Sequence, residues 1–343
     1  VKVYAVIITV SPPPDDTTHI ASGIRPVNLR TDLGPLADLI ELVFRESMDE
    51  NGRQAIREMR YLSKLGAGLG FISRINDLAL GISMGYVWIE DGRLVGNVSI
   101  YPASWPGSRG EAWIVANVGV HPDYQRRGIA KRLMQASLDG IRRKDGKQAI
   151  LQVDYQNDAA INLYEALGFA RERAFTTWDR SSLVGAPQAL HRDDVFITRR
   201  RSSEWRAEYA LAQQVRSAER GGVGWLKPLH PELFHRTLWQ HLSDLFAFSG
   251  VERLIIRSDD ERRILASLWL ESGIGSSRTR MTLLTDAAQG TYYAESLLNN
   301  VLRRLHHTPL SIEHPQDDEP ISELLRGYRF RVKRTVWHMR YAL

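Results

Sequence analysis

The sequence predicts an α/β (α+β) fold present twice in tandem, each copy a mixed, mostly antiparallel sheet flanked by helices. Three observations predict it. The first half reads as strand, two helices, three antiparallel strands, helix, strand, helix and strand. A glycine-containing turn at Gln125–Lys131 leads from an apolar strand straight into a helix. The same order of elements returns, in outline, after residue 194.

Length agrees with two copies. A chain of 343 residues exceeds one typical domain, and two copies of about 160 residues each fall in the normal range. The expected organisation is an arm or extra strand over residues 1–20, a first domain over 21–180, a linker over 181–193 and a second domain over 194–343.

Taken in order, Val1–Val10 is apolar but too short to cross a bilayer, and no small-residue cleavage site follows it. Pro12–Pro14 ends that run. Ile24–Leu29 reads as a strand. Thr31 or Asp32 is expected to cap a helix presenting Leu36, Leu39, Ile40, Val43 and Phe44 on one face. Arg53–Leu65 is the second helix, with Gly66, Gly68 and Gly70 as its stop. Tyr86–Glu90 and Arg93–Tyr101 form a hairpin about Asp91-Gly92. Trp113–Val120 is the next strand, Ile129–Arg143 a helix and Ala149–Val153 a strand. A right-handed crossover would set that strand parallel to Trp113–Val120, with a cleft at their carboxyl ends. Asp158–Leu167 is a helix stopped at Gly168, and Phe175–Asp179 is the last strand of the copy.

In the second copy, Val195–Thr198 is the opening strand, Glu204–Arg220 and Pro231–Leu245 are helices, and Arg253–Arg257 with Arg263–Glu271 form a hairpin. Arg280–Thr285, Tyr293–His306 and Leu310–Glu313 follow as strand, helix and strand. The run Gly327–Trp337 echoes Leu167–Trp178.

Composition narrows the chemistry. The chain has no cysteine, which excludes disulfides, thiolate metal sites and a cysteine nucleophile, and fits a reducing, cytoplasmic setting. The net charge of +5 suits an anionic ligand such as a nucleotide. No aromatic-basic nucleic-acid module is visible, and Arg199–Arg201 reads as a solvated strand end, so neither nucleic acid nor membrane is expected as a partner.

The turn carries the chemistry. Backbone N–H groups at a helix N-terminus, with the helix dipole behind them, make a cradle for pyrophosphate. Gly128 lets the backbone approach an anion without a Cβ in the way, and Arg126, Arg127 and Lys131 add positive charge.

These motifs resemble the GCN5-related N-acetyltransferase (GNAT) family over Ile24–Asp179. Its Q/R-x-x-G-x-G/A motif stands as Gln125-Arg126-Arg127-Gly128-Ile129-Ala130, and its later Asn, Tyr and Gly-Phe stand as Asn157, Tyr164 and Gly168-Phe169. The resemblance implies acetyl-CoA as co-substrate, transfer of its acetyl group to an amine, and no metal. It implies that the backbone of Val118, Gly119 and Val120 holds the pantetheine arm, that the N–H groups of Arg126–Lys131 hold the pyrophosphate, that Asn157 touches the pantetheine or acyl region, and that Tyr164 protonates the departing thiolate. Tyr164 can also simply pack into the core, and Asn157 can simply cap its helix.

The amine must lose a proton to attack, so a base or water relay is needed. Family members acting on protein N-termini often carry a glutamate at the position of Gln152, and glutamine cannot do its work. Asp154, Glu111 and Asn117 with a water are the other candidates. The acceptor is expected to be a small-molecule amine; a closed pocket lined by Trp88, Trp105 or Trp113 would favour it, and an open groove beside Trp113–Val120 would favour a protein or peptide amine. A protein or peptide amine and a non-catalytic acyl-CoA-binding module are the alternatives. Exposed aromatics such as Trp105 are read as acceptor contacts or as the surface of a homodimer.

The second copy lacks the working parts. Aligning Leu133-Met134 with Leu297-Leu298 puts Tyr292 where Gly128 stands, and aligning Phe169 with Phe330 puts Leu325 where Tyr164 stands. It is expected neither to bind CoA in the usual way nor to catalyse.

Overall fold

The computed structural model describes residues 22–46, 48, 50–64, 84–103, 105, 110–235, 250–272, 278–286 and 289–343. The expected arm over residues 1–20, the stop at Gly66–Gly70 and the later part of the expected helix Pro231–Leu245 lie outside them. Two compact units emerge. One holds the described residues up to Ser99 with Asn117–Ser137, and the other holds Ile100–Ala116 with Leu138–Leu343.

In the first unit, β1 (Ser22–Pro26) pairs antiparallel with β2 (Tyr86–Glu90), and β2 pairs antiparallel with β3 (Arg93–Pro102). The hairpin turn has φ 48° at Asp91 and 72° at Gly92, the left-handed pair that a two-residue hairpin needs. Helix α1 (Leu29–Phe44) begins earlier than its sequence suggests. Its cap is Asn28, whose side chain accepts the Arg30 N–H at 3.0 Å, rather than Thr31 or Asp32. Asp32 lies one turn in and reaches back to the Asn28 N–H at 2.7 Å while pairing with Arg25 at 2.6 Å. Leu33, Leu36, Ala37 and Ile40 of α1 and Ile56 and Met59 of α2 (Glu50–Lys64) bury their apolar stripes against Val87 and Ile89 of β2.

In the second unit, the first residues of β4 (Ala112–Val120) pair parallel with β5 (Gln148–Asp154), joining Ala112–Ile114 to Gln148–Ile150 as the expected crossover requires. The crossover helix is α3 (Ile129–Arg142). After α4 (Asp158–Ala166), the next strand, β6 (Ala170–Arg180), does not return to β5. The C-terminal strand β12 (Arg331–Ala342) occupies that place, antiparallel to both β5 and β6. On its far side, β6 pairs antiparallel with β11 (Leu310–Pro315). The two halves have exchanged their last strands.

The order continues through β10 (Thr279–Thr285), β9 (Ile264–Ser272), β8 (Gly250–Arg257) and β7 (Ile197–Arg199), with β10 and β11 parallel and the rest antiparallel. Helices α7 (Gly290–Arg304) and α8 (Glu319–Gly327) cover one face through Leu297, Leu298, Val301 and Leu325. The other face carries α5 (Trp205–Val215) and the short α6 (Pro231–Phe234). Trp178 of β6 is 2% exposed and packs among Leu310, Ile312 and Phe330 of the second half.

Candidate active site

The turn that the sequence singles out is built as an anion cradle. The side-chain amide of Gln125 donates to the Val120 carbonyl at 3.2 Å, which ties the turn to the end of β4. Arg126 has φ 63° and Gly128 has φ 77°, so the chain passes twice through the left-handed region within three residues. A Cβ built on Gly128 would meet no atom within 4 Å. The backbone conformation demands glycine there, and the space in front of it is open. The first helical hydrogen bond runs from the Arg132 N–H to the Gly128 carbonyl at 3.1 Å. The first-turn N–H groups of Ile129, Ala130 and Lys131 therefore have no acceptor within the helix, and no acidic side chain stands among them. Arg126, Arg127 and Lys131 are exposed. The guanidinium of Arg127 lies over the Tyr124 ring at 4.8 Å and donates to the Asp123 carbonyl at 3.1 Å.

Two features that the sequence conceals position this turn. Asn117 has φ 51°, a left-handed residue inside β4 that kinks the strand before Val118, Gly119 and Val120. Its carbonyl accepts the Asn97 side-chain N–H at 2.9 Å, and its own amide donates to the Ser99 hydroxyl at 3.3 Å. Asn97 and Ser99 are both buried, and polar residues in the apolar run Leu94–Tyr101 were the available signal. The second feature is Gly96. A Cβ there would lie 2.9 Å from Ile129 Cγ2 and 3.0 Å from Leu133 Cδ1, so α3 packs directly on β3. Gly119 makes a similar allowance for Val43 and Phe44 of α1.

In the other unit, Asn157 is the N-cap of α4 and accepts the Ala160 N–H at 3.1 Å. Tyr164 is 7% exposed and packs against Phe169, ring centres 5.9 Å apart. Burial pushes its pKa up to about 12, so the hydroxyl keeps its proton through the neutral range. Gly168 has φ 98° and ends α4, where the Phe169 N–H returns to the Tyr164 carbonyl at 3.0 Å.

Of the candidate bases, Asp154 and Asn117 make local hydrogen bonds. Asp154 accepts the Gln156 N–H at 3.0 Å in the turn before α4. Glu111 is exposed at the entrance to β4, and the Asn117 amide is spent on Ser99. His121 accepts the Asp123 N–H at 3.3 Å and shapes the turn after β4.

Residues 61–169 match the acetyltransferase (GNAT) family. Over 87 residues, 25% of this chain and 23% of the relative, the chain is 34% identical to the mycothiol acetyltransferase of Renibacterium salmoninarum. Over 86 residues, 25% of this chain and 57% of the relative, it is 31% identical to N-alpha-acetyltransferase 30 of Schizosaccharomyces pombe. The chain thus spans less than two thirds of either relative. Its fold is that of the GCN5-related N-acetyltransferase from Sphaerobacter thermophilus, with a TM-score of 0.60 and 14% identity over 94% of this chain and 96% of that one. The acetyltransferase (GNAT) match thus covers about a third of the chain, and the structural likeness extends the fold over nearly all of it.

The second copy repeats the first in its frame and loses it at the cradle. Asp318 caps α8 as Asn157 caps α4, and Leu325, fully buried, stands where Tyr164 does. Arg329, at φ 63°, takes the place of Gly168. Leu297 and Leu298 bury like Leu133 and Met134. However, α7 starts at Gly290, so Tyr292 lies in its first turn. It does not fill a glycine turn, as the alignment suggests. Its hydroxyl donates to the Asp194 carboxylate at 2.7 Å, and the Arg192 guanidinium lies 3.7 Å from its ring centre. A longer helix clamped by the linker replaces the cradle.

The three tryptophans named for the acceptor side have different surroundings. Trp88 lies against α3, with the Arg132 guanidinium 5.5 Å from its ring centre, and Trp113 is buried against Gly146. Trp105 alone of the three expected tryptophans joins the apolar floor of Ala112, Ile114 and Ile150. It is joined there by Tyr101 and by Trp225 and Leu226 of the second half. Among the described residues no helix is long and apolar enough to cross a membrane.

Proposed function

We propose that this chain is an acetyl-CoA-dependent N-acetyltransferase that acts on a primary amine of a small molecule. The observation that carries the reading is the cradle: a left-handed glycine facing open space, directly before three unpaired N–H groups and beside exposed cations. That arrangement fits a pyrophosphate, with Gln125, Arg126, Arg127, Gly128, Ile129, Ala130 and Lys131 around it. In this reading the backbone of Val118, Gly119 and Val120 binds the pantetheine arm and Asn157 adds a polar contact. The amine attacks the thioester carbon, the C–S bond breaks, and Tyr164 gives its proton to the thiolate. The high pKa of Tyr164 keeps that donor loaded. The aromatic cover over Ile114 and Ile150 supports a small acceptor rather than an open groove. A protein or peptide amine is the second reading, favoured by the similarity to N-alpha-acetyltransferase 30. The cysteine-free composition supports a cytoplasmic setting.

Calorimetric titration of acetyl-CoA tests the reading, followed by CoA release against polyamines, aminoglycosides and peptides. The parent chain is expected to bind, and Gly128→Tyr to lose binding, because it strains the turn and fills the cradle. Tyr164→Phe is expected to keep binding and lower kcat by about 10²–10⁴-fold. No binding by the parent, or equal binding after Gly128→Tyr, overturns the proposal. Full turnover in Tyr164→Phe removes only the acid.

A further inference from the structure

The strand exchange brings an unassigned pair of titratable groups to the first half's strand β5. Gln152 follows Ile150 on the face of β5 that carries the Ala112–Ile114–Ile150 floor. In the register of the exchanged strand its partner is His338. The His338 Nε2 lies 3.0 Å from the Gln152 Nε2, and the Gln152 Oε1 accepts from Arg334 at 3.4 Å. With the amide held that way, the imidazole nitrogen facing it must offer a lone pair. Glu313 of β11 places a carboxylate oxygen 3.5 Å from the same nitrogen. The other oxygen of Glu313 accepts the Trp225 N–H at 3.1 Å.

The imidazole is 2% exposed, stacked on Phe175 at 4.5 Å between centres and 5.1 Å from the Trp225 ring. Burial pushes Glu313 toward its neutral form, but His338, the Trp225 N–H and the charge of Lys227 outweigh it, and its pKa lies below the ordinary glutamate value. An imidazole whose Nε2 accepts from an amide on β5 and lies 3.5 Å from a carboxylate able to stabilise the imidazolium has the parts of a general base.

We propose that His338, backed by Glu313, accepts the proton of the acceptor amine, so that the second half completes the catalytic machinery of the first. The proposal rests on the acetyl-transfer reading above. Its step is balanced: the amine nitrogen bonds to the acetyl carbon, the C–S bond breaks, one amine proton passes to the His338 Nε2, and Tyr164 protonates the thiolate. Both side chains then exchange protons with solvent. A water between the amine and the Nε2 would relay that proton. Gln152, which cannot take that proton itself, thus stands beside an imidazole on the neighbouring strand.

The charged groups that surround His338 are few. Glu313 faces it from β11, Arg334 acts through Gln152, and Lys227 stands in the Trp225 loop, held to Glu271 at 2.7 Å. Arg340, further along β12, is paired with Glu172 of β6, and Arg173, the register partner of His338 on β6, pairs with Asp317 at 2.8 Å.

The test is the pH profile of CoA release, with acetyl-CoA and three probe amines: spermidine, kanamycin and an alanine-terminated peptide. His338→Gln is expected to bind acetyl-CoA as the parent does and to lose about 10²-fold or more in kcat/KM, together with the ascending limb of the profile. Glu313→Gln removes the charge that favours the imidazolium, so its ascending limb is expected at lower pH. Adding Gln152→Glu to His338→Gln restores a carboxylate on β5 and is expected to recover activity with the limb moved into the carboxylate range. Unchanged rate and profile in His338→Gln overturn this inference and leave the acetyl-transfer reading standing. A parent chain that binds no acetyl-CoA, or releases no CoA with any probe, overturns both. If His338→Gln lacks the cooperative melt of the parent, Glu313→Gln decides: a displaced limb supports the inference and an unmoved limb overturns it.

Discussion

His314 shows how burial fixes a protonation state. It is 1% exposed on β11, and burial, reinforced by Arg216, pushes its pKa down to about 4 against the opposing pull of Asp318. Its ring is hydrogen-bonded on both sides, the Arg216 Nη2 donating to its Nδ1 at 3.2 Å and its Nε2 donating to the Asp318 Oδ2 at 2.8 Å, and only the first of these favours the neutral form. Because the folded pKa lies below the ordinary value of 6.5, the unfolded chain takes up this proton first. The stability His314 contributes is complete above pH 6.5 and is lost as pH falls toward about 4, by about 3 kcal/mol. Urea unfolding between pH 7 and 4 is expected to show this slope, and His314→Asn to flatten it. An equal slope in the variant assigns the acid loss to other groups. Local sequence announces none of this, because a histidine followed by proline on a strand carries no sign of its depth. Gly128 and Tyr164 are the contrasting case, since each stands inside a motif whose spacing marks its position.

At the scale of elements, the cradle is placed by how α3 meets β3. Ile129 and Leu133 press against a glycine, and the kink at Asn117 is held by buried Asn97 and Ser99. Gly96→Val adds atoms where a Cβ already has no room. It is expected to destabilise by about 1–3 kcal/mol through overpacking and, by moving the N-terminus of α3, to weaken acetyl-CoA binding in calorimetry. An unchanged dissociation constant with a lowered melting temperature separates helix placement from cradle function. Nearly every strand and helix among the described residues was legible from hydrophobic period and turn residues. Helix α8 and the early start of α7 were missed, the first hidden by Pro320 and its charged neighbours, the second by a first turn without a capping side chain.

For the molecule as a whole, the strand exchange decides how the halves depend on each other. Without residues 194–343, β6 loses both β12 and β11, and Trp178 loses the core it packs in. Unpaired strand edges and an exposed tryptophan are unfavourable enough that the isolated first half, residues 1–193, is expected not to melt cooperatively. Co-production of residues 194–343 as a separate chain is expected to restore the fold. A cooperative melt of the 1–193 fragment alone would show that β6 can return to β5.

The sequence by itself determined the element order, the duplication, the cradle turn and the position of Tyr164, because these follow from local period, turn chemistry and motif spacing. Tertiary structure alone decided which strand lies beside β5. Strand pairing is chosen by backbone hydrogen bonds and buried faces, and β6 and β12 carry echoing sequences that satisfy either half. That choice sets His338 beside Gln152, 186 residues apart in the chain, a pairing that no local pattern could announce.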